Sequence, residues 1–252
     1  MLPMTLKLIK DGVLQDDLPQ NLLAFCEEHK LDVTFEWIRG QYWLHSDNAD
    51  ERPIGIEIDS ELNRHQEYFK KSSLQKELLA KAIGVKGPYR PSVIDLTAGM
   101  LGDTLLFLSF GCTVISVERN PLISFLIESA RENAKHECLS RWTFIAADAL
   151  SVLESPQSSD VIYFDPMFED FNEKSSPRKE MRIFRHFIGQ DQDAKAVFQR
   201  VRRMDVKRFV VKRPRLSEKL GTEEPLAYVG KATRYDVYLS QNHGLLKPDH
   251  IK

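Results

Sequence analysis

From residue 92 onward the chain alternates short apolar runs with longer segments of helical spacing, and this rhythm restricts the fold more than any other feature. Val93-Ile94-Asp95-Leu96 reads as a strand, followed by a glycine turn and a helix from about Asp103 to Phe110. Thr113 to Val117 reads as a second strand, followed by a helix from Pro121 to about Glu137. Proline suits a helix start because its missing N–H is spare there. Trp142 to Ile145 and Val161 to Phe164 are the third and fourth strands. Such alternation predicts a parallel sheet covered by helices on both faces. Ligands of such sheets bind beyond the C-terminal strand ends. Polar residues collect at four of those ends: Asp95 to Asp103, Glu118-Arg119, Asp148 and Asp165.

Helices are expected from about Pro177 to Phe187 and from Asp193 to about Met204. Lys207 to Lys212 follows as a fifth strand, and Leu226–Val229 with Tyr235–Leu239 as a closing antiparallel pair. The first 88 residues have another character. Leu18 to Lys30 reads as a helix, Val33–Trp37 and Tyr42–Leu44 as a hairpin around Gly40, and Ile54 to Ile58 as a third strand by its alternation. Ser72 and Ser73 offer an N-cap to a helix over Leu74 to Ile83. Gly84, Gly87, Pro88 and Pro91 then break the chain, which divides it into an N-terminal α+β lobe, 1–88, and an α/β domain, 89–252. Hydrophobic residues make up 42% of the chain, enough for a sizeable core. Cys26, Cys112 and Cys138 form no C-x-x-C pair, which argues against a zinc site and a disulfide framework and fits a reducing compartment. No stretch approaches the apolar length of a spanning helix, so a cytoplasmic protein without membrane contact is expected.

The turn Thr97-Ala98-Gly99-Met100-Leu101-Gly102-Asp103 is not a G-x-G-x-x-G, since its only glycines are Gly99 and Gly102. A dinucleotide would want more free backbone amides for its pyrophosphate. S-adenosylmethionine carries no phosphate, so a looser glycine turn suffices. Asp95 and Asp103 suit its cationic amino group, Glu118 its ribose hydroxyls and Asp148 its adenine amine. The bland alternatives are that Asp148 caps the next helix and that Glu118 pairs with Arg119. Asp165-Pro166-Met167-Phe168, after the fourth strand, completes the set. An exocyclic amine on a nucleobase is a poor nucleophile because its lone pair is delocalised into the ring. A carboxylate and a backbone carbonyl accept its N–H bonds and turn the lone pair toward an electrophile. On this reading Asp165 positions the amine, Pro166 stiffens the turn that presents the carbonyl, and Phe168 stacks on the base. The sulfonium is already an activated methyl donor, so no metal is expected.

Five segments carry a resemblance to a known family: Asp95 to Asp103, Val117-Glu118-Arg119-Asn120-Pro121, Asp165 to Phe168, Lys179 to Phe184 and Val210-Val211-Lys212-Arg213-Pro214, with the tail Gly230 to Tyr238. The chain resembles the bacterial 16S small-subunit ribosomal RNA guanine-N2 methyltransferases of the RsmJ type over residues 54 to 240. The resemblance implies a Rossmann-like class I methyltransferase fold with a mostly parallel seven-stranded sheet. It also implies adenosylmethionine contacts at Gly102, Asp103, Glu118, Arg119, Asp148, Ala149 and Asp165, beside Asp95 and Gly99 from the turn itself. The chain departs from the family at Glu169, where proline is usual, and in residues 64–72, which lack glycine.

The net charge of -2 hides a local bias. Residues 170 to 215 hold fourteen Lys and Arg against six Asp and Glu. A basic surface beside the site suits a phosphate backbone, and Lys212, Arg213 and Arg215 are the candidate contacts to 16S ribosomal RNA or the small subunit. Adenine-N6 methylation would use the same acid, carbonyl and aromatic. A non-catalytic RNA-binding assembly factor on the same fold is the alternative from another class.

Overall fold

The computed structural model describes residues 6–45, 52–154, 158–166 and 193–240. The chain opens with β1 (Leu6–Lys10), β2 (Val13–Leu14), α1 (Gln20–His29), β3 (Val33–Ile38) and β4 (Gln41–His45). These strands form a four-stranded sheet in the order β2-β1-β3-β4, with β1 parallel to β3 and the expected hairpin between β3 and β4.

The strand expected at Ile54–Ile58 does not form. Ile54 makes one isolated bridge to Leu44, and Ile58 already begins α2 (Ile58–Lys71). That helix carries Asp59 and Glu61 in its first turn and Lys70 and Lys71 in its last, which complements the helix dipole. Gly55 lies against the Trp43 ring, where an added Cβ would stand 2.6 Å from the nearest ring atom. Gly55→Ala is therefore expected to displace Trp43, whose indole N–H is held by the Ile38 carbonyl at 2.9 Å. Overpacking of this kind typically costs about 1–3 kcal/mol, read as a lower urea midpoint at unchanged slope. The helix expected over 74–83 is split into a single 3-10 turn, Leu74–Lys76, and α3 (Leu78–Ile83). Ser73 caps the turn by accepting from the Gln75 amide.

The second sheet consists of β5 (Ser92–Asp95), β6 (Thr113–Glu118), β7 (Trp142–Ala146), β8 (Val161–Phe164), β9 (Arg208–Pro214), β10 (Leu226–Val229) and β11 (Thr233–Leu239). Its helices are α4 (Gly102–Ser109), α5 (Pro121–Asn133), α6 (Ala149–Glu154) and α7 (Ala194–Arg202). The order is β10-β11-β9-β8-β5-β6-β7, parallel except for the antiparallel pairs β11 with β9 and β10 with β11. The chain leaves β5 toward β6 and β7, then returns to lay β8 on the other side of β5. The direction of winding thus reverses between β5 and β8, the place where such sheets open a crevice.

Side chains on these strands alternate between two apolar layers. Val93, Val161, Tyr163 and Val210 face one way, toward α4 and α5, and Ile94, Ile162, Phe164 and Phe209 face the other, toward α6 and α7. The first layer does not stop at residue 88. It runs on through Phe35, Leu44, Ile58 and Leu62, so the small sheet and α2 share a core with the large sheet. Phe35 and Tyr42 both pack on Phe125 of α5, with ring centroids 4.9 and 5.1 Å apart, and the Tyr42 amide donates to Ser129. No described helix is long and apolar enough to cross a membrane.

Candidate active site

The crevice is built at the ends of β5, β6 and β8. After β5 the chain turns at once, because the Ala98 amide donates to the Val117 carbonyl and Gly99 takes a φ of +50°. Leu101 follows with a left-handed φ of 64° and a fully buried side chain, and the Gly102 start of α4 comes directly after. Space remains in front of this turn. A Cβ on Gly102 would meet nothing within 4 Å, and one on Gly99 only the Thr97 carbonyl at 4.0 Å.

The acids at the strand ends divide by role. Asp95 is 1% exposed and spends its carboxylate inward, accepting from the Thr97 amide at 3.1 Å and the Thr104 hydroxyl at 2.6 Å. These two bonds tie the turn to α4. Burial pushes its carboxyl up to about 7, against the opposing Thr104 hydrogen bond and with a smaller push from Asp103. From its ordinary 3.8 to about 7 the native state keeps a proton that the unfolded chain releases, so stability falls as pH rises through this window. Asp95→Asn is expected to flatten that part of the curve, measured by thermal melts across the window. An unchanged slope would assign the pH dependence to other groups.

Glu118 is 8% exposed at the end of β6 and accepts from the Gly99 amide at 2.9 Å and the Asn120 amide at 2.8 Å. Arg119 instead pairs with Asp193 at 2.9 Å and stands 3.6 Å from Asp148. Asn120 caps α5 by accepting from the Leu122 and Ile123 amides, with Pro121 as the first helical residue. Asp148 accepts from the Leu150 amide at 2.8 Å, so it caps α6 while standing beside Arg119, and Ala149 is buried behind it.

Asp165 leaves β8 with its amide bound to the Thr97 hydroxyl at 2.7 Å, which fastens it to the cofactor turn, and Pro166 behind it is buried. Met167 and Phe168 lie outside the described residues, as do Glu169 and the expected helix over 177–187. Lys212 is partly exposed and stands among the strand-end carboxylates. Its ammonium is 2.7 Å from Asp165 and 2.8 Å from Asp103, and Asp103 also accepts from the Tyr163 hydroxyl at 2.5 Å. Arg213 is only 6% exposed and donates to the Ser217 hydroxyl and the Glu218 carbonyl, which braces the loop after β9. Arg215 is exposed. Several of the described basic residues are engaged in contacts within the chain at its surface: Arg200 with the Leu153 carbonyl, Arg202 with Glu223 and Lys207 with Asp160.

Thr97, Thr104 and Tyr163 are site residues that the sequence reading passed over. Their signal was position: two hydroxyls flanking the glycine turn, and a tyrosine two residues before Asp165. Together these groups fit S-adenosylmethionine. A half-open turn without side chains at Gly99 and Gly102, a buried carboxylate at Glu118 and carboxylates at Asp103 and Asp165 match a ligand with a diol and two cationic centres.

The family model for SAM-dependent methyltransferases matches residues 23–240. The ribosomal RNA small subunit methyltransferase J of Laribacter hongkongensis is 42% identical over 168 residues, 64% of this chain and 60% of that protein. Its counterpart from Thioalkalivibrio sulfidiphilus is 36% identical over 201 residues, 76% of this chain and 79% of that one. The crystal structure of a SAM-dependent methyltransferase from Neisseria gonorrhoeae aligns over 94% of this chain and 96% of its own, with a TM-score of 0.63 at 23% identity, which shows the fold. The seven-stranded fold thus has its counterpart in a known structure, and the chain belongs to the S-adenosylmethionine-dependent methyltransferase family that includes ribosomal RNA small subunit methyltransferase J.

Proposed function

We propose that this protein transfers a methyl group from S-adenosylmethionine to the exocyclic N2 of a guanosine in 16S small-subunit ribosomal RNA. The observation that carries the reading is Asp165, a carboxylate whose backbone is fastened to the glycine turn through Thr97 and whose side chain is held 2.7 Å from Lys212. The names of the relatives supply the class of substrate. Bound S-adenosylmethionine supplies the methyl group as an activated sulfonium. Asp165 accepts one N–H of the amine, and the backbone after it accepts the other, which points the nitrogen lone pair along the line of transfer. The N–C bond forms as the S–C bond breaks, its electron pair stays on sulfur to leave neutral S-adenosylhomocysteine, and the methylated amine loses its extra proton to water. Glu118 holds the ribose diol, and Asp103 faces the donor's positive charge. A guanine inside structured RNA must be unstacked first, at a cost of a few kcal/mol. Phe168 is assigned to recover part of this by stacking, and exposed Arg215 to meet phosphate. The reaction is placed in the cytoplasm, where ribosomal RNA is made and assembled.

The deciding experiment digests 16S RNA treated with the protein and S-adenosylmethionine and separates its nucleosides by mass spectrometry. N2-methylguanosine at one site is the expected product. N6-methyladenosine would move the substrate to the other amine, and cofactor binding with no methylated nucleoside would favour an assembly factor.

A further inference from the structure

β9 runs parallel to β8 with Val211 opposite Phe164, so the next residues, Lys212 and Asp165, emerge side by side. The Lys212 side chain is 27% exposed, and its ammonium lies within 2.8 Å of two carboxylates on different elements: Asp103 on α4, beside the cofactor turn, and Asp165 on the acceptor side. Its other neighbours are Tyr163 on β8, whose hydroxyl donates to Asp103, and Tyr235, its register partner on β11. Asp95 on β5 senses both carboxylates, and Glu77 before α3 acts on Tyr235. The group therefore holds four carboxylates, one cation and two phenols. We propose that Lys212 is the positioning residue of the methyl transfer, one ammonium that fixes the spacing and the charge of Asp103 on the donor side and Asp165 on the acceptor side. The proposal rests on the function assigned above.

Two carboxylates brought this close repel, and where water is partly excluded one of them keeps a proton. A protonated Asp165 no longer accepts an amine N–H on both oxygens, and a protonated Asp103 no longer attracts a cation. Lys212 removes that conflict. Burial alone would lower its ammonium, but Asp165 and Asp103 reverse this and hold it charged well above the ordinary lysine range. A lysine suits the place better than an arginine, because a compact point charge fits between two carboxylates on separate elements, whereas a planar fork matches one carboxylate twice.

The test compares wild type, Lys212→Met and Lys212→Arg as full chains. Binding of S-adenosylhomocysteine and of S-adenosylmethionine is followed by calorimetry from pH 5.5 to 9, and kcat for methyl transfer to 16S RNA over the same range. Lys212→Met is expected to lower kcat at least about tenfold and to move the acidic limb of both profiles up by about one pH unit, the size of an ordinary charge–charge effect on a carboxyl group. Lys212→Arg keeps the charge, so its limb is expected to stay where the wild type's is while kcat remains reduced by misplacement. Profiles of Lys212→Met that superimpose on wild type after correction for folded protein would overturn the proposal and leave Lys212 a packing residue. The binding arm needs no RNA. A wrong assignment of the RNA substrate shows as a wild type that binds cofactor without methylating guanine, and the Lys212 result still stands or falls on the binding profiles.

Discussion

Asp165→Ala is expected to lower the single-turnover rate of methyl transfer at least a hundredfold while the protein stays folded. The side chain is 34% exposed and contributes little to the core, and the Pro166 turn and the amide bond to Thr97 do not depend on it. What disappears is the group proposed to orient the amine, and misplacement of a reacting atom by about 1 Å costs on the order of a hundredfold. Lys212 keeps Asp103 as a partner, so no buried charge is stranded. Asp165→Asn sharpens the reading. It retains an acceptor oxygen but loses the charge, so its loss should be smaller, on the order of tenfold, with a thermal midpoint close to wild type. A wild-type rate for Asp165→Ala would remove this residue from the mechanism.

The largest expected effect on stability comes from the other end of the chain. Phe35 is fully buried on β3 and meets Phe125 of α5 edge-on, at the seam between the small sheet and the large one. Phe35→Ala should destabilise the protein by about 3–5 kcal/mol, the usual range for truncating a buried phenylalanine. Because one apolar cluster runs from Leu6 to Val237, the loss should appear as a single earlier transition in urea, with fluorescence and circular dichroism coinciding. Two separated transitions would mean that the first 88 residues unfold by themselves.

The centre of the large sheet was legible in the sequence because β5 and β8 are short, apolar and buried on both faces, with acids at or just after their C-terminal ends. The N-terminal region misled for physical reasons. Ile54-Gly55-Ile56-Glu57-Ile58 alternates like a strand, but Gly55 is there to admit Trp43, and the helix that follows buries only Ile58 and Leu62. Ile58, Leu62 and Phe69 do recur at helical spacing, but the strand-like alternation just before them hides where the helix begins. β1 went unseen because its neighbouring partner, β2, is only two residues long and its other partner, β3, lies more than twenty residues further on. At the site, sequence order showed which acids end which strands. It did not show that Asp95 turns inward to Thr104, or that the register of β9 against β8 brings Lys212 to Asp165. Such facts belong to pairings between strands and not to any one segment.

Leu101 shows what the turn before α4 requires of its sequence. A leucine in the left-handed region gives up about 1–2 kcal/mol of backbone energy that glycine would not. Burying its side chain returns about 1.5–3 kcal/mol. The two terms nearly cancel, so stability alone has little to say about which residue stands there. What leucine adds is a single shape: with its side chain locked in the core, the backbone on either side has one path to follow, and the turn that faces the methyl donor is already formed before anything binds.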